Sequence, residues 1–170
     1  IAAAGGLLVE FGTLSAVTGD QKYYQAAYKA MEAIYSAQAW TGLVGNHIDT
    51  ANGAWVAHEA GIGALVDSYY EYMVKAYVLF GDERLVEMFW SSYVAIRKYV
   101  YLAPWYLNSE MFTGRIISAT QCSLGAFWPG LQVLLGDIDD AIMTTRALYA
   151  VWRRYGCLPE KVNVVTAVPV

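Results

Sequence analysis

The stretch from Gly61 to Val100, GIGALVDSYYEYMVKAYVLFGDERLVEMFWSSYVAIRKYV, contains two long apolar runs separated by a single Gly-Asp pair. Glycine adopts the left-handed conformation that ends a helix, and an aspartate side chain accepts a hydrogen bond from the first turn of the next helix. The run after Asp82 places Leu85, Met88 and Ile96 on one face at helical spacing. The stretch therefore predicts two antiparallel helices joined by a compact turn.

The same Gly-Asp turn signal occurs three times along the chain. Thr18–Asp20 reads TGD, Phe80–Asp82 reads FGD and Leu135–Asp137 reads LGD, and each triplet separates two apolar segments. The second segment of each pair is amphipathic, whereas the first is apolar nearly all round and is expected to be buried on both sides. About three such helical hairpins predict an all-α fold, a partial (α/α) barrel or toroid whose inner ring consists of the first helices.

The segments between the helix pairs carry β-hairpin signals. Thr50-Ala51-Asn52-Gly53 contains Asn-Gly, which favours a tight turn between two strands, and a second turn is predicted at Thr113-Gly114. Both segments precede the first helix of a pair. We therefore expect them at the same end of the toroid, where loops form the mouth of a cavity.

Composition limits the classes of function. The chain has 170 residues, of which 57% are hydrophobic and 15% charged, and its net charge is −4 with no cluster of lysine or arginine. Nucleic-acid binding therefore has no electrostatic basis. The longest uncharged run, residues 116–136, is long enough to span a bilayer, but Gln121, Pro129, Gly130 and Gln132 favour a buried helical hairpin. No transmembrane segment is expected.

Three smaller features have structural as well as functional explanations. Cys122 and Cys157 match no metal-binding spacing and are compatible with a disulfide or with two buried thiols. His47 and His58 lack the spacing of a metal motif and are expected to be structural. The acids of Asp137–Asp140 are expected to cap a helix and occupy its first turn, not to form a calcium loop.

Acidic side chains interrupt the apolar first helices. Glu10 lies within LLVEF, and Asp67 and Glu71 are four residues apart in a tyrosine-rich run, so the latter two share one helix face. A buried carboxylate is costly unless it is paired, hydrogen-bonded or used. Capping or ion pairing would explain these acids structurally. A sugar site would explain them functionally, because tyrosine rings combine flat apolar faces with polar edges. The residues alone leave both explanations open.

Five segments of the sequence resemble glycoside hydrolase family 47, the class I α-mannosidases, and most closely its ER degradation-enhancing branch. They are GGLLVEFGTLS at Gly5–Ser15, TGLVGNHID at Thr41–Asp49, GIGALVDSYYEYMVKAYVLFGD at Gly61–Asp82, FWPGLQVLLGDIDDA at Phe127–Ala141 and CLPE at Cys157–Glu160. The resemblance implies a seven-hairpin (α/α) barrel, of which this chain would supply about three hairpins. It assigns residues 1–160 to a fragment of one glycoside hydrolase domain and leaves residues 161–170 as a divergent C-terminal tail.

The resemblance also implies roles for individual residues. Asp67 matches the family's active-site aspartate, and the acids Glu10, Glu71 and Glu160 match others that line the same cavity and bind substrate. Leu65 occupies a substrate-binding position where some members have arginine, a difference expected to influence which glycan arm is trimmed.

The chain also departs from the family pattern. Cys122 stands where many members have aspartate, which puts one cavity contact in doubt. The resemblance implies a bound calcium ion whose main protein ligand would lie outside this chain, so no metal ligand is expected here. The helix that carries the family's acid would also lie outside it.

The expected function is therefore part of an inverting α-1,2-mannosidase that acts on high-mannose N-glycans of misfolded glycoproteins. The expected location is the endoplasmic reticulum lumen or the secretory pathway, and the isolated chain is expected to be inactive. The alternative is a lectin-like module of the same fold that binds mannose glycans without cleaving them. A scaffold segment with no sugar role is a third interpretation.

Overall fold

A computed structural model describes all 170 residues of the chain. It contains seven α-helices and one 3₁₀ turn at Ser123–Phe127. The helices are α1 (Ala2–Gly5), α2 (Leu8–Thr18), α3 (Lys22–Ser36), α4 (Asp67–Phe80), α5 (Glu83–Tyr99), α6 (Trp128–Leu135) and α7 (Ile138–Tyr155).

Helices α2 to α7 form three consecutive helical hairpins. Helix α2 packs on α3, α4 on α5 and α6 on α7, while α4 also contacts α2 on one side and α6 on the other. The first helices of the three hairpins thus lie side by side, each backed by its own second helix. This arrangement confirms the predicted all-α, partial (α/α) fold.

Left-handed glycines end the first helix of every hairpin. Gly19, Gly81 and Gly136 have φ angles of 74°, 73° and 86°, a region that glycine enters without steric cost. The predicted Gly-Asp turns are therefore present at one end of the molecule.

The aspartates of these turns do not all act as caps. Asp82 accepts a hydrogen bond from the backbone N–H of Arg84, and Asp20 accepts one from Lys22, as expected. The side chain of Asp137 makes no such bond and instead accepts one from the hydroxyl of Tyr93 on α5. The hydroxyl of Tyr93, on the neighbouring hairpin, thus takes the place of the backbone N–H that Asp137 was expected to cap.

Nine short strands occupy the connections between the hairpins. They are β1 (His47–Ile48), β2 (Trp55–Ala57), β3 (Glu59–Ala60), β4 (Tyr101–Leu102), β5 (Trp105–Tyr106), β6 (Ser109–Glu110), β7 (Thr120–Cys122), β8 (Lys161–Asn163) and β9 (Val168–Pro169). Strands β1 and β2 pair antiparallel across the turn that contains Gly53, as predicted. The second predicted turn is also present, because Ser109 bridges to Ile116 and Gly114 has a φ of 69°.

Four strand pairings were not predicted, among them the antiparallel pairing of β4 with β5. Strand β3 pairs antiparallel with β6, with Glu59 opposite Glu110, so the connection before α4 is hydrogen-bonded to the connection before α6. Strand β8 lies between β7 and β9, so that residues 161–170 carry two strands of a three-stranded sheet. The loops therefore gather at one end of the molecule, opposite the Gly-Asp turns.

The core lies between the first and second helices of each hairpin. Its largest fully buried side chains include Tyr69, Tyr70 and Trp128, with the rings of Tyr70 and Trp128 meeting edge-on at 5.9 Å. None of the helices combines the length and the hydropathy that crossing a bilayer requires. Both cysteines are free thiols, and Cys157 is exposed rather than buried.

The expectation that the first helices are buried on both sides is wrong for this chain. Their face away from the second helices leaves large apolar side chains accessible, including Val78 at 64% and Leu134 at 55% exposure. The reason is geometric, because three hairpins side by side do not close a ring, and nothing within the 170 residues covers this face. We call it the concave face.

Candidate active site on the first helices

Helix α4 carries a stripe of charged residues on the concave face. Asp67 is its first residue, Glu71 follows one turn later and Lys75 one turn after that. Residues at i, i+4 and i+8 lie one above the other on a helix, and between them Tyr69, Tyr70 and Met73 point into the core. The strong apolar pattern of α4 therefore fixes which way the charged stripe faces.

Asp67 is half-buried and takes part in no ion pair. Its Oδ1 accepts a hydrogen bond from the backbone N–H of Ser68 at 2.9 Å, and its position in the first turn is one where the helix dipole favours an anion. One carboxylate oxygen, Oδ2, has no hydrogen-bond partner within the chain.

The turn that leads into α4 has an unusual backbone. Leu65 has a φ of 72°, in the left-handed region that residues other than glycine seldom adopt, and its side chain is 46% exposed. Its carbonyl accepts the backbone N–H of Ala2 at 2.8 Å, and the carbonyl of Gly63 accepts that of Asp67 at 2.9 Å. Helix α1 and the first turn of α4 thus hold Leu65 in this conformation, and strained residues of this kind concentrate at functional sites.

Glu10 is brought to α4 by a side-chain hydrogen bond. The hydroxyl of Tyr72 donates to Oε1 of Glu10 at 2.6 Å, which links α2 to α4. This hydrogen bond, with burial adding to it, raises the pKa of Tyr72 to about 12, so the phenol stays protonated and remains a donor at neutral pH.

Glu71 is held by its own helix. Nζ of Lys75 lies 2.6 Å from Oε1 of Glu71, and the side chains of Glu71 and Lys75 are 26% and 50% exposed. Glutamate four residues before lysine is the favourable order for such a pair. The pair lines a cleft of about 370 Å³ between α4 and α6, whose opposite wall includes Phe127 and Gly130.

The remaining predicted site residues lie in the loop end. The backbone carbonyl of Glu160 accepts the N–H of Ser123 at 2.8 Å, and Cys122 pairs with Lys161 across β7 and β8. A Cβ at Gly63 would lie 3.2 Å from Cβ of Cys122, so the turn before α4 packs on β7. The side chain of Glu160 is exposed and makes no hydrogen bond.

The structure thus places the predicted residues in two linked groups. Asp67, Glu71 and Glu10 are gathered on α4 and its neighbour α2, while Leu65 is joined through its turn to β7, the strand beside Glu160. No hydrogen bond or ion pair connects Glu160 to the acids on the helices. Their roles in binding and catalysis stay predictions.

Two residues that contact the predicted acids were not identified as site residues from the sequence. Tyr72 and Lys75 each contact one of the predicted acids, at 2.6 Å in both cases. The i, i+4 spacing of Glu71 and Lys75 in the sequence indicates that the two side chains can form an ion pair on one helix face. Nothing in the local sequence of Tyr72 indicates that it reaches Glu10, because that contact depends on how α2 packs on α4.

The histidines and the acids of Asp137–Asp140 have structural contacts in the fold. No group of three or more His, Cys, Asp or Glu side chains converges as a metal site requires, so the residues present do not fit calcium. The ring of His58 packs edge-on against Phe112, and His47 hydrogen-bonds to Asn46. Asp139 lies in the first turn of α7 and Asp140 is held by Arg97.

A larger cleft than the one between α4 and α6 lies elsewhere, on the outer side of α3. It has a volume of about 610 Å³ and is lined by Tyr24, Tyr28 and Arg84 among others. The guanidinium of Arg84 is paired with Asp82, and this cleft borders the Gly-Asp turns, not the loop end. We therefore place the candidate site on the concave face, where Asp67 keeps a free carboxylate oxygen.

Comparison with known proteins decides the family. The model of glycosyl hydrolase family 47 matches residues 1–168. The chain belongs to glycosyl hydrolase family 47. The matched range includes strand β8 and ends at Val168, the first residue of β9.

Curated relatives of this family 47 chain carry mannosidase names. It is 46% identical over 163 residues to ER degradation-enhancing alpha-mannosidase-like protein 2 of Mus musculus, covering 96% of the chain and 28% of that protein. It is 44% identical over 165 residues to alpha-mannosidase I MNS4 of Arabidopsis thaliana, covering 97% of the chain and 26% of that protein. The chain therefore spans little more than a quarter of the length of these relatives.

Solved structures show the same fold. An alpha-1,2-mannosidase from Trichoderma reesei superposes with a TM-score of 0.82 at 23% identity, covering 98% of this family 47 chain and 39% of the other chain. An alpha-amylase from Clostridium perfringens superposes with a TM-score of 0.71 at 7% identity, covering 99% and 48%. At these identities the likeness concerns the fold alone.

Proposed function

We propose that this chain is part of the catalytic domain of an inverting α-1,2-mannosidase that trims high-mannose N-glycans of misfolded glycoproteins. The names of the relatives support the mannosidase class. The words "ER degradation-enhancing" in the name of the Mus musculus relative support a role in the endoplasmic reticulum lumen. The observation that carries the proposal is Asp67, which opens α4 in a family 47 chain and presents a carboxylate oxygen with no hydrogen-bond partner to the concave face.

Inverting hydrolysis needs two carboxyl groups separated widely enough to admit a water molecule beside the sugar. Asp67 supplies one of them. Glu10 and Glu71 already accept bonds from Tyr72 and Lys75, which suits them to binding sugar hydroxyls. The second carboxyl group would then come from a part of the enzyme that these 170 residues do not include, and we expect the isolated chain to release no mannose.

The other predicted residues complete the sugar contacts in this proposal. Glu160 adds a carboxylate at the loop end, and the exposed side chain of Leu65 adds an apolar contact beside Asp67. Leucine offers no charge for a glycan hydroxyl at this point, so the choice of glycan arm would depend on shape. Calcium, which the family resemblance implies, would be held by other parts of the enzyme, and no step is derived through it.

The test replaces Asp67 in the full-length enzyme. We expect Asp67→Asn to reduce mannose release from a high-mannose N-glycan by about 1,000-fold or more, since an amide cannot accept a proton from water. Asp139→Asn, on the exposed face of α7, is the matched control and should retain full activity. Released mannose is measured by chromatography, and proton NMR during turnover should show the inverted anomer first.

Two results would overturn the proposal. Full activity of Asp67→Asn would remove Asp67 from the mechanism. Binding of the glycan by the unmutated enzyme with no release of mannose would identify a lectin-like module instead.

A further inference from the structure

We propose that Tyr72 and Lys75 are positioning residues, which hold the carboxylates of Glu10 and Glu71 in the orientation that binds the sugar. This inference rests on the proposed function, because it concerns the same site. It makes α4 the organising element of that site, since this one helix would carry two of the acids, Asp67 and Glu71, and the groups that orient Glu10 and Glu71.

The hydrogen bond of Tyr72 gives Glu10 a fixed direction. Glu10 is exposed on α2, and its long side chain would otherwise sample several rotamers. The Tyr72 hydroxyl donates to Oε1 at 2.6 Å, and hydrogen bonds to charged groups are the stronger class. Tyr72 is itself constrained, because the flanking residues Tyr70 and Met73 are fully buried. With Oε1 occupied, Oε2 of Glu10 is left to accept from a ligand.

The ion pair of Lys75 does the same for Glu71. Nζ of Lys75 bonds Oε1 at 2.6 Å, which again leaves Oε2 of the carboxylate available toward the concave face. A half-exposed i, i+4 pair contributes little to stability, so the pair has no strong structural purpose. It does have a geometric consequence, because it fixes the wall of the α4–α6 cleft on which Glu71 lies.

The two contacts lie side by side on the chain. Glu71 and Tyr72 are adjacent in sequence, and α2 and α6 lie on opposite sides of α4. Glu10 therefore approaches α4 from the α2 side, whereas Glu71 lines the cleft on the α6 side, with the stripe that begins at Asp67 between them. A mannose ring above Asp67 would meet an oriented carboxylate oxygen on each flank.

The experiment measures binding separately from turnover. The full-length enzyme carrying Asp67→Asn is expected to bind without turnover. In that background, calorimetry with α-1,2-mannobiose should show about 10-fold weaker binding after Tyr72→Phe or Lys75→Met. Lys75→Arg preserves the ion pair and should restore most of the affinity. In the enzyme with Asp67 intact, the same variants should raise KM more than they lower kcat.

Matched controls remove similar groups without touching an acid. Tyr77→Phe lies on the same helix, and its hydroxyl makes no hydrogen bond. Lys29→Met lies on α3 and forms no ion pair. Both should keep the original affinity and KM. Thermal midpoints of all variants, measured by circular dichroism, should agree within about 2 °C, since each positioning variant removes one surface contact and the controls remove none.

The outcomes separate this inference from the proposed function. Unchanged affinity and KM in Tyr72→Phe and Lys75→Met, with a mannobiose-binding parent, would overturn the positioning role alone. A parent that neither binds nor cleaves the disaccharide would overturn both. An equal loss in Lys75→Arg and Lys75→Met would show that the ion pair is not what orients Glu71.

Discussion

Two helical glycines, Gly12 and Gly130, allow the packing of the first helices to be tested with one chemical change. Gly12 lies inside α2 and Gly130 inside α6, and neither has a left-handed backbone. Alanine in place of a mid-helix glycine stabilises a protein by about 0.5–1 kcal/mol, because it reduces the conformational freedom of the unfolded chain. Both substitutions receive this gain. A difference between their free energies of unfolding therefore measures how much room each position has for the added methyl group.

The two positions differ in what the added methyl group meets. At Gly130 a Cβ has no heavy atom within 4 Å, whereas at Gly12 it would overlap the ring of Phe80. That ring is held in turn by Tyr24, whose ring meets it edge-on at 5.7 Å. Overpacking of this kind costs about 1–3 kcal/mol. We expect Gly130→Ala to raise the free energy of unfolding by about 0.5–1 kcal/mol and Gly12→Ala to lower it by as much as about 2 kcal/mol.

Urea denaturation followed by circular dichroism measures both values on the 170-residue chain. Combining Gly12→Ala with Phe80→Leu should recover part of the loss, because the smaller side chain removes the overlap, and the double-mutant cycle isolates that coupling. Equal stabilisation by the two alanines would refute the reasoning, since it would mean that α2 and α4 do not approach at Phe80 as closely as the structure has them.

Two further predictions concern the aspartates of the Gly-Asp turns. The hydrogen bonds from Arg84 lower the pKa of Asp82 to about 2, below the value of an aspartate in the unfolded chain. The Asp82 carboxylate therefore stabilises the fold fully above about pH 4, and this stabilisation is lost as the pH falls toward 2. The stability difference between the unmutated chain and Asp82→Asn, measured by urea denaturation, should therefore shrink over that interval, and a constant difference would contradict it. Asp137→Ala should cost about 2 kcal/mol in the same assay, because it leaves the buried hydroxyl of Tyr93 without an acceptor and removes an ion pair with Arg97. The amide of Gln132 keeps the hydroxyls of Tyr93 and Tyr106 as acceptors. A loss below about 0.5 kcal/mol would show that the Tyr93 hydroxyl finds another acceptor.

Local sequence chemistry predicted most of the architecture. Gly81 with Asp82 marks a helix end and a helix start by backbone conformation and side-chain length, which are properties of the two residues alone. The same is true of the turn at Gly53. The failure at Asp137 has a different origin, because its cap was displaced by Tyr93, a residue 44 positions away that the local pattern does not contain.

The candidate site divides in the same way. The shared face of Asp67 and Glu71 follows from helical spacing, and so does the reach of Lys75. The contact between Tyr72 and Glu10 spans 62 positions and exists only because α2 lies against α4. Burial of the first helices on both sides was inferred from their apolar composition. Composition indicates that such a surface must be covered, but it does not indicate whether these 170 residues cover it.

The pairing of β3 with β6 bears on how the mouth of the site can change. Its ladder joins Glu59 and Ala60 to Glu110 and Ser109, and the backbone N–H of Met111 donates to the carbonyl of His58 at 2.9 Å. Main-chain atoms make these bonds, so they tolerate almost any side chain at these positions but constrain the number of residues on either side. Substitutions are therefore tolerated in this region, whereas an insertion in one connection would require a compensating change in the other. The lengths of the two connections are therefore coupled, although the paired residues Ala60 and Ser109 are 49 positions apart.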